Sequence, residues 1–167
     1  FYAPAEPFFE TAEDIVSDVL SVDEIMDFAI DSEQAAVDLY LGLAAKATSP
    51  GIKQAFEEYA EEERGHKKKL LEVKAGKRFL KSGEKPVLDL KIADYAVDVE
   101  PNPDADYQSV LIFAMKKEKA AFRLYSDLAA KTDDPELRQL LLDLAEEEAK
   151  HKLHFEIEYD ENILTEN

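Results

Sequence analysis

Cysteine is absent from the 167-residue chain, which excludes a disulfide scaffold, a thiolate metal site, an iron–sulfur cluster and a cysteine nucleophile. Glycine occurs only five times, and no G-x-G-x-x-G or G-x-x-x-x-G-K is among the stretches that contain it. The loops that cradle phosphates are therefore missing. Positive charge is scarce: 20 Lys and Arg stand against 38 Asp and Glu, a formal charge of −18. A surface for nucleic acid needs clustered cations to meet phosphates and is not expected here. No apolar run approaches the roughly 18 residues of a membrane span, and no basic-then-apolar leader opens the chain, so neither a membrane nor an exported location is expected, and a cytoplasmic one is. What is present is a periodic apolar pattern, with 46% hydrophobic residues. That excludes disorder despite the charge. The length fits one domain of roughly 100–200 residues with a single core.

Internal repetition decides the organisation. Sliding the chain on itself by 85 residues aligns 21–70 with 106–155 without a gap, and nineteen of the fifty positions are identical. Average residue usage would give roughly three by chance. The identical pairs include Phe28/Phe113, Glu33/Glu118, Tyr40/Tyr125, Pro50/Pro135, Glu63/Glu148 and His66/His151. Two copies at so long a period make a duplicated half-domain.

Each half reads as two helices. Ser21-Val22-Asp23-Glu24 forms a capping box, Asp106 is an N-cap, and Ser49-Pro50 and Asp134-Pro135 each pair a cap with proline at the first helical position. The expected helices lie near 22–48, 51–76, 107–132 and 135–159. An arm over 1–20 carries Phe1, Tyr2, Phe8 and Phe9, and a short tail occupies 161–167. Between the second and third helices, a Pro-marked crossover over 77–106 includes an alternating Leu88, Leu90, Ile92 stretch that reads as extended. Running the length of a 26-residue helix takes about 12 extended residues, so the crossover is long enough. The expected fold is all-α, a bundle over 21–160 with one long crossover and an internally duplicated plan.

The apolar stripes follow alternating steps of three and four, the seam of a packed bundle. Each is broken at its centre by glutamate: Glu33, Glu63, Glu118 and Glu148, with His66 and His151 one turn after the second and fourth. Four carboxylates in a dry core are costly unless neutralised. Two divalent cations would supply +4 against −4, with the imidazoles as neutral nitrogen donors. Residues i and i+3 share a helical face, so each Glu-x-x-His can reach one metal. This pattern matches di-iron and di-manganese carboxylate bundles. In the runs Glu61-Glu62-Glu63 and Glu146-Glu147-Glu148 the last residue lies on the seam, while its neighbour points about 100° away. His154 stands where the other half has Lys69 and reads as a surface residue. Tyr40, Tyr125 and Tyr59 are core tyrosines that could hold ligand carboxylates from behind.

With its spacings Glu33…Tyr40 and Glu118…Tyr125, and with Glu63-Arg64-Gly65-His66 and Glu148-Ala149-Lys150-His151, the chain resembles the rubrerythrin branch of the ferritin-like superfamily over about 22–159. The resemblance implies a ferritin-like bundle and a two-iron centre that reduces hydrogen peroxide, or dioxygen, with electrons from a rubredoxin-type centre. Lacking cysteine, this chain would need a separate, rubredoxin-like donor protein. Rubrerythrins carry a further glutamate one turn after the third-helix ligand. Here that position is Ala121, which leaves a more symmetric six-ligand site. Manganese also suits nitrogen and carboxylate donors, and zinc suits them less. A rival reading is ferroxidase iron handling for storage or delivery, and a remote one is a metal-free helical interaction module. A homodimer or higher homo-oligomer is expected. Residues 64–85 hold nine basic residues against two acidic ones. Lys68, Lys69 and Lys77 there are either a solvated helix end or a docking patch for an acidic electron donor.

Overall fold

A computed structural model describes residues 20–76, 87–88, 90, 92–97 and 104–161. The arm apart from Leu20, Lys77 and most of the crossover lie outside the described residues. As expected, the fold is all-helical, a four-helix bundle of two hairpins. The helices are α1 (Val22–Lys46), α2 (Pro50–Ala75), α3 (Tyr107–Lys131) and α4 (Pro135–Tyr159). A two-residue strand β1 (Leu20–Ser21) pairs antiparallel with β2 (Val87–Leu88), setting Leu20 against Leu88 and Ser21 against Val87. None of the described helices is long and apolar enough to cross a membrane.

Local chemistry sets the helix ends. Ser21 Oγ accepts the Glu24 amide at 3.1 Å while the Glu24 carboxylate accepts the Ser21 amide at 3.2 Å, a reciprocal satisfaction of orphan donors. Ser49 caps α2 through the Ile52 amide at 3.2 Å, Asp106 caps α3 through Ser109, and Asp134 caps α4 through Glu136 and Leu137. α1 stops at Lys46 because Ala47 is already extended (φ −64°, ψ 136°). Ser49, held extended by the proline that follows, completes the turn. Three-residue connections force antiparallel neighbours, so α1 lies along α2 and α3 along α4.

Two apolar layers fill the bundle with a polar layer between them. One layer gathers Ile25, Met26, Ala29, Leu70, Leu128, Leu137 and Leu141. The other gathers Tyr40, Leu43, Phe56, Ala60, Leu111 and Phe155. Leu90 and Tyr95 from the crossover are buried in the first layer, so this connection closes that end of the core. Among the described residues the ladder covers Val87–Leu88; after the buried Leu90 the chain enters a 3₁₀ turn at Ile92–Asp94. That turn delivers the Tyr95 hydroxyl to Asp127 Oδ2 on α3 at 2.6 Å. Burial first, and then this bond, pushes the Tyr95 hydroxyl well above the ordinary tyrosine range.

Tyr95→Phe keeps the ring and deletes that bond, while the exposed Asp127 regains water. The expected loss is about 0.5–1.5 kcal/mol, a fall in melting temperature of about 1–6 °C for a domain of this size. Calorimetry of the two proteins checks it, and an unchanged melting temperature would mean that the bond does not anchor the crossover.

Candidate metal centre

The polar layer consists of Glu33 from α1, Glu63 and His66 from α2, Glu118 from α3, and Glu148 and His151 from α4. None is more than 3% exposed. The seam spacing puts them there: Glu33 lies one turn from Ala29 and Ala36, and Glu118 one turn from Ala114 and Ala121. Small neighbours let the carboxyl-bearing turns approach. In the other two helices Glu63 and His66, and Glu148 and His151, stand one turn apart on the inner face.

Side-chain atoms converge in two groups, each within 4.8 Å: Glu33, Glu63, His66 and Glu148 in one, Glu63, Glu118, Glu148 and His151 in the other. Glu63 and Glu148 belong to both. Each group of four joins three residues of one hairpin to one glutamate of the other. His66 Nδ1 lies 2.9 Å from Glu63 Oε2 and 3.0 Å from Glu148 Oε1. His151 Nδ1 lies 2.7 Å from Glu63 Oε1 and 3.4 Å from Glu148 Oε2. The closest of these, His151 Nδ1 and Glu63 Oε1, are near enough for an ion pair but misaligned for a hydrogen bond, and both atoms are buried without a hydrogen-bond partner. Two donor atoms aimed into a common space without a hydrogen bond between them suit a cation.

The outer faces of the imidazoles are held crosswise. His66 Nε2 contacts Glu147 of α4, and His151 Nε2 contacts Glu62 Oε2 of α2 at 2.6 Å. An outer carboxylate favours a proton on Nε2 and leaves Nδ1 directed inward, the usual way a histidine ligand is oriented. Sequence reasoning set Glu62 and Glu147 aside because they point away from their own seam. The missed signal was their repeat relation, 62 and 147, directly beside each seam glutamate. The three tyrosines differ from one another. Tyr125 donates to Glu33 Oε1 across the bundle. Tyr40, its repeat mate, is fully buried with no hydrogen-bond partner for its hydroxyl. Tyr59 packs its ring 4.9 Å from that of His151 and bonds the exposed His154. His154 thus touches the layer only through Tyr59, and Lys68 and Lys69 are exposed on α2.

Electrostatics divides the six groups into three pairs. Burial, then repulsion by Glu148, raises Glu33 and Glu118 well above the ordinary carboxylate range. Burial opposes charge on the imidazoles, but the carboxylates of Glu148 and Glu63 beside them outweigh it, so His66 rises to about 10 and His151 to about 12. Burial likewise opposes ionisation of Glu63 and Glu148, yet the neighbouring imidazoles win and both stay below the ordinary range. Without metal these directions favour imidazolium beside carboxylate for His66, His151, Glu63 and Glu148, and the protonated acid for Glu33 and Glu118. A cavity of about 260 Å³ between α1 and α3 opens onto Glu33, Glu118 and Glu148.

Comparison with known proteins gives a concordant picture. The sequence model of the rubrerythrin family matches residues 24–159. A hypothetical protein from Pyrococcus furiosus is similar in structure, with a TM-score of 0.68 and 24% identity over 89% of this chain and 92% of that one. A Thermotoga maritima protein, described provisionally as a ferritin-like diiron-carboxylate protein, gives a TM-score of 0.71 and 21% identity over 86% of this chain and 96% of that one. At these identities the likeness speaks to the fold, which is ferritin-like. No curated protein matches the chain.

Loading two divalent ions onto metal-free protein near pH 7 should release protons, since the metals replace them; an indicator in weak buffer counts them. The raised histidines stabilise the metal-free fold below their unfolded value of about 6.5, and that stability is lost as pH rises towards about 10 and 12. The raised Glu33 and Glu118 add a cost that grows with pH above about 4.5. Glu63 and Glu148 act oppositely, but only as the pH falls below the ordinary carboxylate range. The metal-free melting temperature should therefore fall from pH 6 to pH 9. Glu33→Gln with Glu118→Gln, which mimics the neutral acids, should raise it and flatten that slope. A double variant that melts lower at pH 8 would contradict the assignment of neutral acids at these positions.

Proposed function

The chain belongs to the rubrerythrin family, and we propose on that premise that it is a non-haem di-iron oxidoreductase reducing hydrogen peroxide or dioxygen with electrons from a separate donor protein. The observation that carries this reading is the pair of buried four-residue groups sharing Glu63 and Glu148. In it, Glu33, Glu63, His66, Glu118, Glu148 and His151 would hold the two ions, Glu63 and Glu148 being the residues that both groups contain. Two iron ions fit this nitrogen and carboxylate set, manganese is the substitute, and zinc is disfavoured because structural zinc prefers a closed tetrahedral cage. When bound, such a pair supplies two electrons, one from each ion, to the oxidant. Reduction of one peroxide to two waters consumes two electrons and two protons.

The chain's own residues prepare the setting. Glu62 and Glu147 fix the imidazoles from outside, and Tyr125 fixes Glu33. The apolar layers on both sides exclude water, which strengthens every charge interaction between them. The cavity between α1 and α3 gives a small oxidant a way to the carboxyl floor. These 167 residues hold no cysteine for an iron–sulfur centre, and the reading takes its electrons from a separate, rubredoxin-like protein. Lys68 and Lys69, exposed on α2, are candidates for its docking, and Lys77 follows them in sequence.

One observation favours a second reading, ferroxidase activity that serves iron storage or delivery. Glu57, Glu58, Glu61 and Glu62 line an open hollow on α2, and Glu62 also contacts His151. Carboxylates leading from solvent to a ligand suit ferrous entry.

Anaerobic ferrous loading should give two iron ions per chain, and Glu63→Ala or His151→Ala should drop the content below one; elemental analysis reads both. Less than one equivalent in the parent protein would end the di-metal reading. Stopped-flow oxidation of the loaded protein by peroxide and by dioxygen, side by side, then separates the two functions. The oxidoreductase predicts repeated peroxide turnover only with a reductant present, whereas ferroxidase predicts consumption of ferrous iron with dioxygen. Lys68→Glu with Lys69→Glu should slow reduction by an acidic donor at low salt, with the difference fading as salt screens it.

A further inference from the structure

The cavity between α1 and α3 is larger than a small oxidant needs. A water-sized molecule takes about 30 Å³ of liquid, against about 260 Å³ here. The walls come in repeat-related pairs: Phe28 with Phe113, and Ala36 with Ala121. Leu124 and the crossover's Val97 extend the apolar lining. An apolar cavity of about 150 Å³ accepts benzene, so by proportion this one accommodates about ten non-hydrogen atoms.

Charge sets the orientation of such a molecule. One pair in the lining breaks the repeat, Ser32 against Lys117. Lys117 is the only cation among the described lining residues, and its ammonium sits 5.7 Å from the Phe113 ring centroid. The floor is made of Glu33, Glu118 and Glu148. The lysine offers an anionic head its cation, and the apolar walls take the tail.

We propose that this cavity is a binding pocket for a small amphiphilic monocarboxylate of about ten non-hydrogen atoms, held with its apolar body between Phe28, Phe113 and Ala121 and its carboxylate at Lys117. This deepens the reading above, because such a molecule ends beside the centre proposed there. Its binding depends on the walls, which stand without metal. Octanoate is a probe of the required size and charge, and octanol is its neutral counterpart.

Calorimetric titration of metal-depleted protein should show one octanoate per chain. Ala121→Phe fills the space and should weaken both octanoate and octanol about tenfold or more. If Ala121→Phe does not fold, Ala121→Leu makes the same test more gently. Lys117→Gln should weaken octanoate about tenfold and leave octanol within about twofold. Absence of octanoate binding at millimolar concentration overturns the proposal, as does binding unaffected by filling at Ala121. Equal losses of octanoate and octanol in Lys117→Gln would overturn the placement of the head group. If octanoate binds as expected but the parent protein takes up no iron, the metal-centre reading fails and the pocket stands.

Discussion

Neutralisation of four carboxyl groups inside one core is the constraint on which the remaining structure depends. An uncompensated buried ion costs several kcal/mol even after relaxation, and a domain has only about 5–15 kcal/mol of net stability. Four would unfold it. Raised imidazoles and raised carboxyls lower the charge in the metal-free state, and cations can take the place of those protons. Everything around the layer serves this exchange. The apolar layers keep the groups dry, Glu62 and Glu147 hold the imidazoles, and α1 and α3 approach one another with alanines next to the glutamates.

Much of this arrangement was legible in the sequence because two independent periodicities coincide. The 85-residue repeat located equivalent positions, and the three-four stripe put the same four glutamates and two histidines on inward faces. The caps at Ser21, Ser49, Asp106 and Asp134 were readable because each is a local exchange of hydrogen bonds within three residues. What could not be read is non-local. Glu62 lies off its own seam yet meets His151 of the other hairpin, since its reach is decided by the packing of α2 beside α4 rather than by its place on the helix. Tyr40 and Tyr125 are identical in the repeat, but only Tyr125 finds a carboxylate.

The crossover shows the same limit from another direction. Its alternating leucines pointed to extended backbone, and a short ladder is present at Val87–Leu88. The 3₁₀ turn after Leu90, and the bond from Tyr95 to Asp127, depend on the shape of the bundle end that the crossover covers. The crossover also has no counterpart in the repeat. It therefore distinguishes one end of the bundle from the other, and with Tyr95 and Val97 it lines part of the cavity. The asymmetry of the access route thus originates in a segment outside the duplication.

The sharing of Glu63 and Glu148 between the two groups has a consequence for how such a chain could arise. A single hairpin offers two glutamates and one histidine, so it never completes either group of four. Before duplication, a lone hairpin of this kind could have assembled the layer only by meeting a second copy, and the occupied fraction would have followed its concentration. Joining the two copies through the crossover makes that encounter intramolecular, with an effective concentration on the order of millimolar for a linker that spans the distance. Fusion also frees the halves to diverge, since a change in one is no longer imposed on the other. Ser32 and Lys117, or Tyr59 and Leu144, are differences that an identical pair could not have acquired.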